Sequence, residues 1–270
     1  MNMKCLRFSA VCRRLTFLFV FFLSSQSAQA GDPIPSQADL TRFFEIIVFG
    51  AEYGALTGKS TVLKKWASPI RANVSALEGT IISKADGGRE LKLNKARPKK
   101  AHVDSIRKLL TKLVKLTGVK TEAAKKTGRK PNYFIKFVPR LAMHAPMLVK
   151  GAPKKLLRTL ARSGKCYFLT AANPRGEITW ATIVVNNERP DRDVENCLRE
   201  EMIQTLGLPN DSNFVKPSIF NDKPLKRFSD IDLILAKTLY DKRLKPGMPR
   251  LEAVAKANLI IGEALGRLAK

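Results

Sequence analysis

Histidine is nearly missing from this chain. Only His102 and His144 occur in 270 residues, and both lie far from the other groups of chemistry-bearing residues. Zinc sites rest mainly on His nitrogen and Cys thiolate, so the supply of ligands argues against a histidine-built zinc centre. Cysteine is also scarce. Of four, Cys5 and Cys12 fall in the first thirty residues, which leaves Cys166 and Cys197. After residue 30 no apolar run approaches the length that spans a bilayer, so no transmembrane helix is expected there. Acidic residues are outnumbered, 23 against 49 Lys and Arg, for a net charge of +26. Aromatic residues make up 7%, and they are nearly absent from the most basic stretch. That shortage counts against single-stranded nucleic acid, whose bases need stacking partners.

The first thirty residues have a pattern of their own. Lys4, Arg7, Arg13 and Arg14 precede an apolar run from Leu15 to Leu23, and small residues end in Ala28-Gln29-Ala30. This is the layout of a secretory signal peptide. The expectation is cleavage after Ala30, a periplasmic or secreted product, and one domain over residues 31–270. Four of the 49 basic residues leave with the signal, so 45 remain against 23 acidic. A basic exported protein is expected to meet polyanions such as lipid head groups, wall polymers or nucleic acid; the alternative is that the charge serves solubility alone. In an oxidising compartment the remaining cysteines, Cys166 and Cys197, are most simply a disulfide. Their even number argues against a catalytic thiol.

Periodicity orders the elements. Apolar residues at helical spacing mark a helix from Gln37 to Gly54. Ile70, Ala72, Val74 and Ala76 alternate as in a strand. Residues 102–118 read as a helix with Asp104 as N-cap and Gly118 as its stop. Strands follow at 132–138, 165–171 and 178–187, with a short helix near 154–162 between the first two. Asp191 or Asp193 is expected to cap a helix running to Leu206. Two further helices follow, 229–241, capped by Ser229, and 249–269. The order implies an α+β fold: a mixed sheet with a crossover helix, a site helix and C-terminal helices. Between Lys92 and Lys130, fourteen basic residues stand against two acidic ones, Asp104 and Glu122. This stretch is a solvated face or a docking surface for an anionic partner.

The stretch that carries chemistry is CLREEMIQTLGLPND, Cys197 to Asp211. At about 100° per residue, Cys197, Glu200, Glu201 and Gln204 share one helix face. Leu198, Met202, Ile203 and Leu206 share the other, and Gly207 ends the helix. The spacing resembles the metalloprotease pattern H-E-x-x-H-x-x-G-x-x-H. Glu201 falls on its glutamate and Gly207 on its glycine. Glu200, Gln204 and Asn210 fall on the three metal ligands, so every histidine is replaced. SIFND, Ser218 to Asp222, sits where metzincin proteases have a methionine turn, with Phe220 in place of the methionine. On this resemblance the fold is zincin-like.

A closer resemblance is to an exported bacterial family, domain-of-unknown-function family 2927. Its marks are FGAEYG (Phe49 to Gly54), KKWASPI (Lys64 to Ile70), Cys166, the Cys197–Asp211 block, SIFND and LYDKRLKPGM (Leu239 to Met248). That family implies no assigned activity.

Three readings of the substituted site follow. In the first, a cleft without zinc ligands binds or processes an envelope peptide or glycan through Gln204, Asn210, Asp211 and Asp222. In the second, Glu201 acts as general base of a hydrolase, with Glu200, Asp211 or Asp222 assisting and without zinc. The oxygen-only donors would suit at most a hard cation such as calcium or magnesium. In the third, the chain is an adaptor that docks on polyanions through Lys92–Lys130. The plain structural alternative for each residue is helix-dipole compensation for Glu200 and turn bracing for Gln204 and Asn210. No cofactor is called for. A Cys166–Cys197 bond would orient the glutamates, and it requires Cα atoms within about 7 Å.

Overall fold

A five-stranded sheet with apolar side chains on both faces carries helices on each side. A computed structural model of the chain describes residues 35–50, 60–223 and 225–268. The expected signal segment, and residues 51–54 of the first expected helix, lie outside the described residues. The elements are α1 (Gln37–Phe49), β1 (Ala72–Ser83), β2 (Arg89–Ala96), α2 (Lys100–Thr117), the single turn α3 (Ala124–Thr127), β3 (Tyr133–Val138), α4 (Lys154–Leu160), β4 (Cys166–Ala172), β5 (Ile178–Asn186), α5 (Asp191–Gln204), α6 (Asp230–Tyr240) and α7 (Arg250–Leu268). The sheet order is β2-β1-β3-β5-β4. β1 runs parallel to β3 and β3 parallel to β5, while β2 and β4 are antiparallel to their neighbours. The fold is α+β with a mixed sheet, and α2 is the crossover between β1 and β3.

Side chains alternate across a strand, and two apolar clusters result. Tyr133, Ile135, Phe137, Ala181, Ile183 and Val185 pack with α1, α2, α5, α6 and α7. Val138, Val184 and Tyr167 face the other way and pack with α4 and the segment before it. The site helix α5 therefore lies on the larger core.

Four local expectations need correction. β1 begins at Ala72, not near Ile70. Ile70 instead makes an isolated bridge to Thr121. β1 also continues to Ser83 in a hairpin with β2. β2 is not among the strands read from the sequence, because Leu91 and Leu93 are its only large apolar residues and the ribbon is largely exposed. Asp104 does not cap α2. The N-cap is Lys99, and Asp104 lies inside the helix, held by Lys100 and Arg107. Neither Asp191 nor Asp193 caps α5, whose N-cap is Pro190. Asp191 pairs with Lys99 and His102, and Asp193 with Arg189. In each case a neighbouring cation competes for the carboxylate that would otherwise accept a backbone N–H. The Ser229 cap is present, as a capping box with Asp232, and Gly118 ends α2 at φ 72°.

Candidate functional site

The end of α5 is fixed from behind by three separate pieces of chain. Trp66 donates its indole N–H to the Thr205 carbonyl at 2.9 Å. Tyr240 donates its hydroxyl to the Leu206 carbonyl at 2.7 Å and accepts the Trp66 backbone N–H at 3.1 Å. Tyr133 and Thr205 share a hydroxyl hydrogen bond of 2.8 Å. Helix C-termini leave carbonyls without partners, and here the neighbouring aromatic residues supply them. Gly207 follows at φ 110°, and a Cβ there would stand 2.2 Å from the Lys64 carbonyl oxygen. Only glycine allows this close approach. Lys65 is buried beside the same knot. Its ammonium donates to the Leu239 carbonyl at 2.9 Å and lies 5.2 Å from the Tyr240 ring centroid. Burial, with Lys245 adding repulsion and Asp241 opposing, lowers its pKa to about 8.

The front of α5 lines a cleft of about 500 Å³. Glu200, Glu201, Gln204, Asp211 and Asp222 all line it, so five of the six proposed catalytic and binding residues converge. Asn210 does not line it. It turns toward α1, with its amide on the Ile46 carbonyl at 3.2 Å and its backbone N–H on Ile47. Gln204 donates to Asp211 at 2.6 Å. Asn213 donates to Asp222. Glu201 is only 6% exposed. Burial holds the Tyr133 phenol far above its ordinary pKa, the Thr205 hydrogen bond opposes that shift, and the Glu201 charge adds to it. The cleft side of α5 is thus largely enclosed by protein.

The opposite wall is β4. Cys166 to Thr170 line the cleft, and Cys166 is bonded to Cys197 with a Cα–Cα distance of 6.0 Å. The expected disulfide is present and ties site helix to edge strand. Asn186 donates its backbone N–H to Lys165, and the register pairs Tyr167 with Val184 and Leu169 with Thr182. Hydrogen-bonded pairs alternate in an antiparallel ladder. The backbone groups of Cys166, Phe168 and Thr170 therefore point away from β5, toward the outer edge. Among the described residues no strand pairs with that edge.

Ser218 to Asn221 form a buried turn beside the cleft, which Asn221 and the exposed Asp222 line. Phe220 is fully buried, its ring edge-on to Phe43 at 6.4 Å. Asp232 accepts from Ser218 Oγ at 2.6 Å and from the Ile219 and Ser229 backbones. Burial raises its pKa against those hydrogen bonds.

The family described as "Protein of unknown function (DUF2927)" matches residues 37–257. The chain belongs to this family. No curated protein and no solved structure matches it. The DUF2927 motifs read from the sequence occupy connected places. KKWASPI and LYDKRLKPGM supply Lys65, Trp66 and Tyr240 to the knot behind α5, and SIFND supplies Asn221 and Asp222 to the cleft. Of FGAEYG, only Phe49 and Gly50 are described.

Sequence reasoning missed part of the cleft: Lys64, Lys165, Arg189 and Asp193, and the β4 backbone. Backbone edges have no side-chain signature, and the lysines are indistinguishable from the many others. Among the described residues, no three His, Cys, Asp or Glu side chains stand together as metal ligands, and no helix is long and apolar enough to cross a membrane. His102 is a core residue, stacked on Phe137 at 5.1 Å with Nε2 3.1 Å from Asp191.

Proposed function

We propose that this chain is an exported cell-envelope protein whose cleft binds an extended peptide, and that the zincin-like layout serves binding without catalytic zinc. The observation that carries the reading is the placement of β4. An edge strand with outward backbone N–H and C=O groups forms one wall of a 500 Å³ cleft, and the carboxylate face of α5 forms the other. An edge of this kind pairs with an incoming strand, and main-chain hydrogen bonds supply the affinity. Among the described residues, five carboxylates (Asp193, Glu200, Glu201, Asp211, Asp222) and three cations (Lys64, Lys165, Arg189) line the cleft, with Arg189 paired to Asp193. It therefore favours a peptide bearing Lys or Arg side chains, on a protein that is otherwise strongly basic. The Cys166–Cys197 bond supports an oxidising compartment.

Hydrogen exchange tests this directly. With lysine-containing hexapeptides added, the amides of Phe168 and Thr170 gain protection, and acidic hexapeptides or glycan fragments have no such effect. Equal protection by all three ligands, or none on β4, removes the peptide reading.

The convergence of Glu200, Glu201, Asp211 and Asp222 on one cleft favours a second reading, a zinc-independent hydrolase with Glu201 as general base. Under that reading the bound peptide is cut, and Glu201→Gln stops cleavage while β4 protection persists. Intact peptide after prolonged incubation with wild-type protein excludes it.

A further inference from the structure

A second, smaller depression of about 240 Å³ lies away from the cleft, where α2, α5 and the segment before α6 meet. Lys108 and Lys112 of α2, Arg199 of α5, and Lys226 and Arg227 line it, with Glu195 as the one carboxylate among the described residues. Lys108 and Lys112 are one helical turn apart on the same face, a like-charge spacing that costs an isolated helix stability. Glu195 already accepts from Ser105 at 3.2 Å.

The cations are differently held, and the arrangement is directional. Arg199 is half-buried, and its Nη1 donates to the Asn196 side chain at 3.0 Å and the Leu225 carbonyl at 2.9 Å. Those bonds hold the guanidinium in place among the residues that line the depression. Lys112 extends over the buried Phe228 ring at 5.0 Å, which limits where its ammonium can go. Lys108, Lys226 and Arg227 stand exposed around the rim. A held guanidinium among exposed ammonium and guanidinium groups offers the charge-assisted donors that a phosphate group accepts. The volume lies below the roughly 300–1,000 Å³ of a drug-sized pocket. It suits a head group rather than a whole lipid or an oligosaccharide.

We infer that this depression is a binding site for a phosphate group, carried by a lipid head group or free in solution. It is built from three elements, and three of its five cations (Arg199, Lys226, Arg227) come from outside the 92–130 stretch that the sequence marks as basic. It is independent of the peptide cleft.

The test uses the full chain and two variants of equal charge change. One replaces Lys108, Lys112, Lys226 and Arg227 by Gln, leaving the structural Arg199 in place. The other replaces Lys120, Lys125, Lys126 and Lys130 by Gln. Both sets are exposed, so thermal unfolding is expected to match wild type and serves as the check on folding. Binding to phosphatidylglycerol vesicles, with phosphatidylcholine vesicles as blank, is expected to fall at least about tenfold in the first variant and about twofold or less in the second, since each surface cation near an anionic membrane contributes comparably unless a site collects them. In parallel, inorganic phosphate is titrated against the backbone amides of Lys226 to Phe228. Shifts there that vanish in the first variant show that phosphate alone suffices; vesicle binding lost in that variant without such shifts assigns the site to the lipid head group. Vesicle binding that falls equally in the two variants or is unchanged in the first, with no phosphate shifts that vanish in the first variant, overturns the inference.

Discussion

The cleft beside α5 and the basic face of α2 are both rich in charge, and they are built in opposite ways. In the cleft, Glu201 and Gln204 are buried, Gln204 is committed to Asp211, and a disulfide joins the two walls. On α2 the charged groups are mostly exposed and pair locally, Lys100 and Arg107 with Asp104, Lys99 with Asp191 across to α5. Charges held in low dielectric and fixed geometry act on a ligand with direction, whereas exposed ones act through a screened field. The cleft is therefore suited to selecting a partner by shape and hydrogen bonding, and the α2 face to attracting one.

The sharpest way to break this contrast is to cut the disulfide. Replacing Cys166 and Cys197 by Ala opens a loop with a sequence separation of 31, for an expected loss of about 4 kcal/mol in the chain-entropy treatment. Chemical denaturation with and without reductant measures it. Peptide protection on β4 should be lost in the folded variant under conditions where binding to anionic vesicles persists. Joint survival of both activities would mean the walls do not need the tie.

One substitution made twice compares the backbones of the two regions. Gly207→Ala places a Cβ against the Lys64 carbonyl at a positive φ, and roughly 3 kcal/mol of stability should go. Gly118→Ala, at the end of α2, meets nothing within 4 Å, so only the left-handed conformation is penalised, at about 1–2 kcal/mol. Equal losses in urea unfolding would contradict the close approach at Gly207.

The buried lysine behind α5 should show a pH dependence that exposed lysines lack. Lys65 titrates at about 8 when folded against 10.5 when unfolded. Across that window the unfolded chain holds the extra proton, so raising the pH stabilises the fold. Relative to Lys65→Met, wild type should gain about 2 kcal/mol between the two values. A flat difference would mean that Lys65 is not buried as described. The smallest effect is expected on α2, where Lys108→Gln with Lys112→Gln should alter unfolding by less than about 0.5 kcal/mol.

Much of this was legible beforehand because periodicity and caps are local. Leu40, Phe43, Phe44, Ile47 and Val48 announced α1, Ser229 announced α6, and Gly118 announced the end of α2. The helical spacing from Cys197 to Gln204 put the site residues on one face before their surroundings were known. The helix caps at Asp104, Asp191 and Asp193 were misread for one reason: the Lys, Arg and His side chains that hold these carboxylates compete with the cap, and two of those at Asp191, Lys99 and His102, are distant in sequence.

By itself, then, the sequence determined the α+β class, the family, the cysteine pair and the common face of Cys197, Glu200, Glu201 and Gln204, all of which depend on residue type and spacing. Tertiary structure decided that this polar face is enclosed rather than solvated, that β4 closes the cleft with an outward backbone edge, and that Asn210 braces α1. It also decided that Lys226 and Arg227 join the cations of α2. These outcomes rest on contacts between residues far apart in the chain, whose partners no local pattern names.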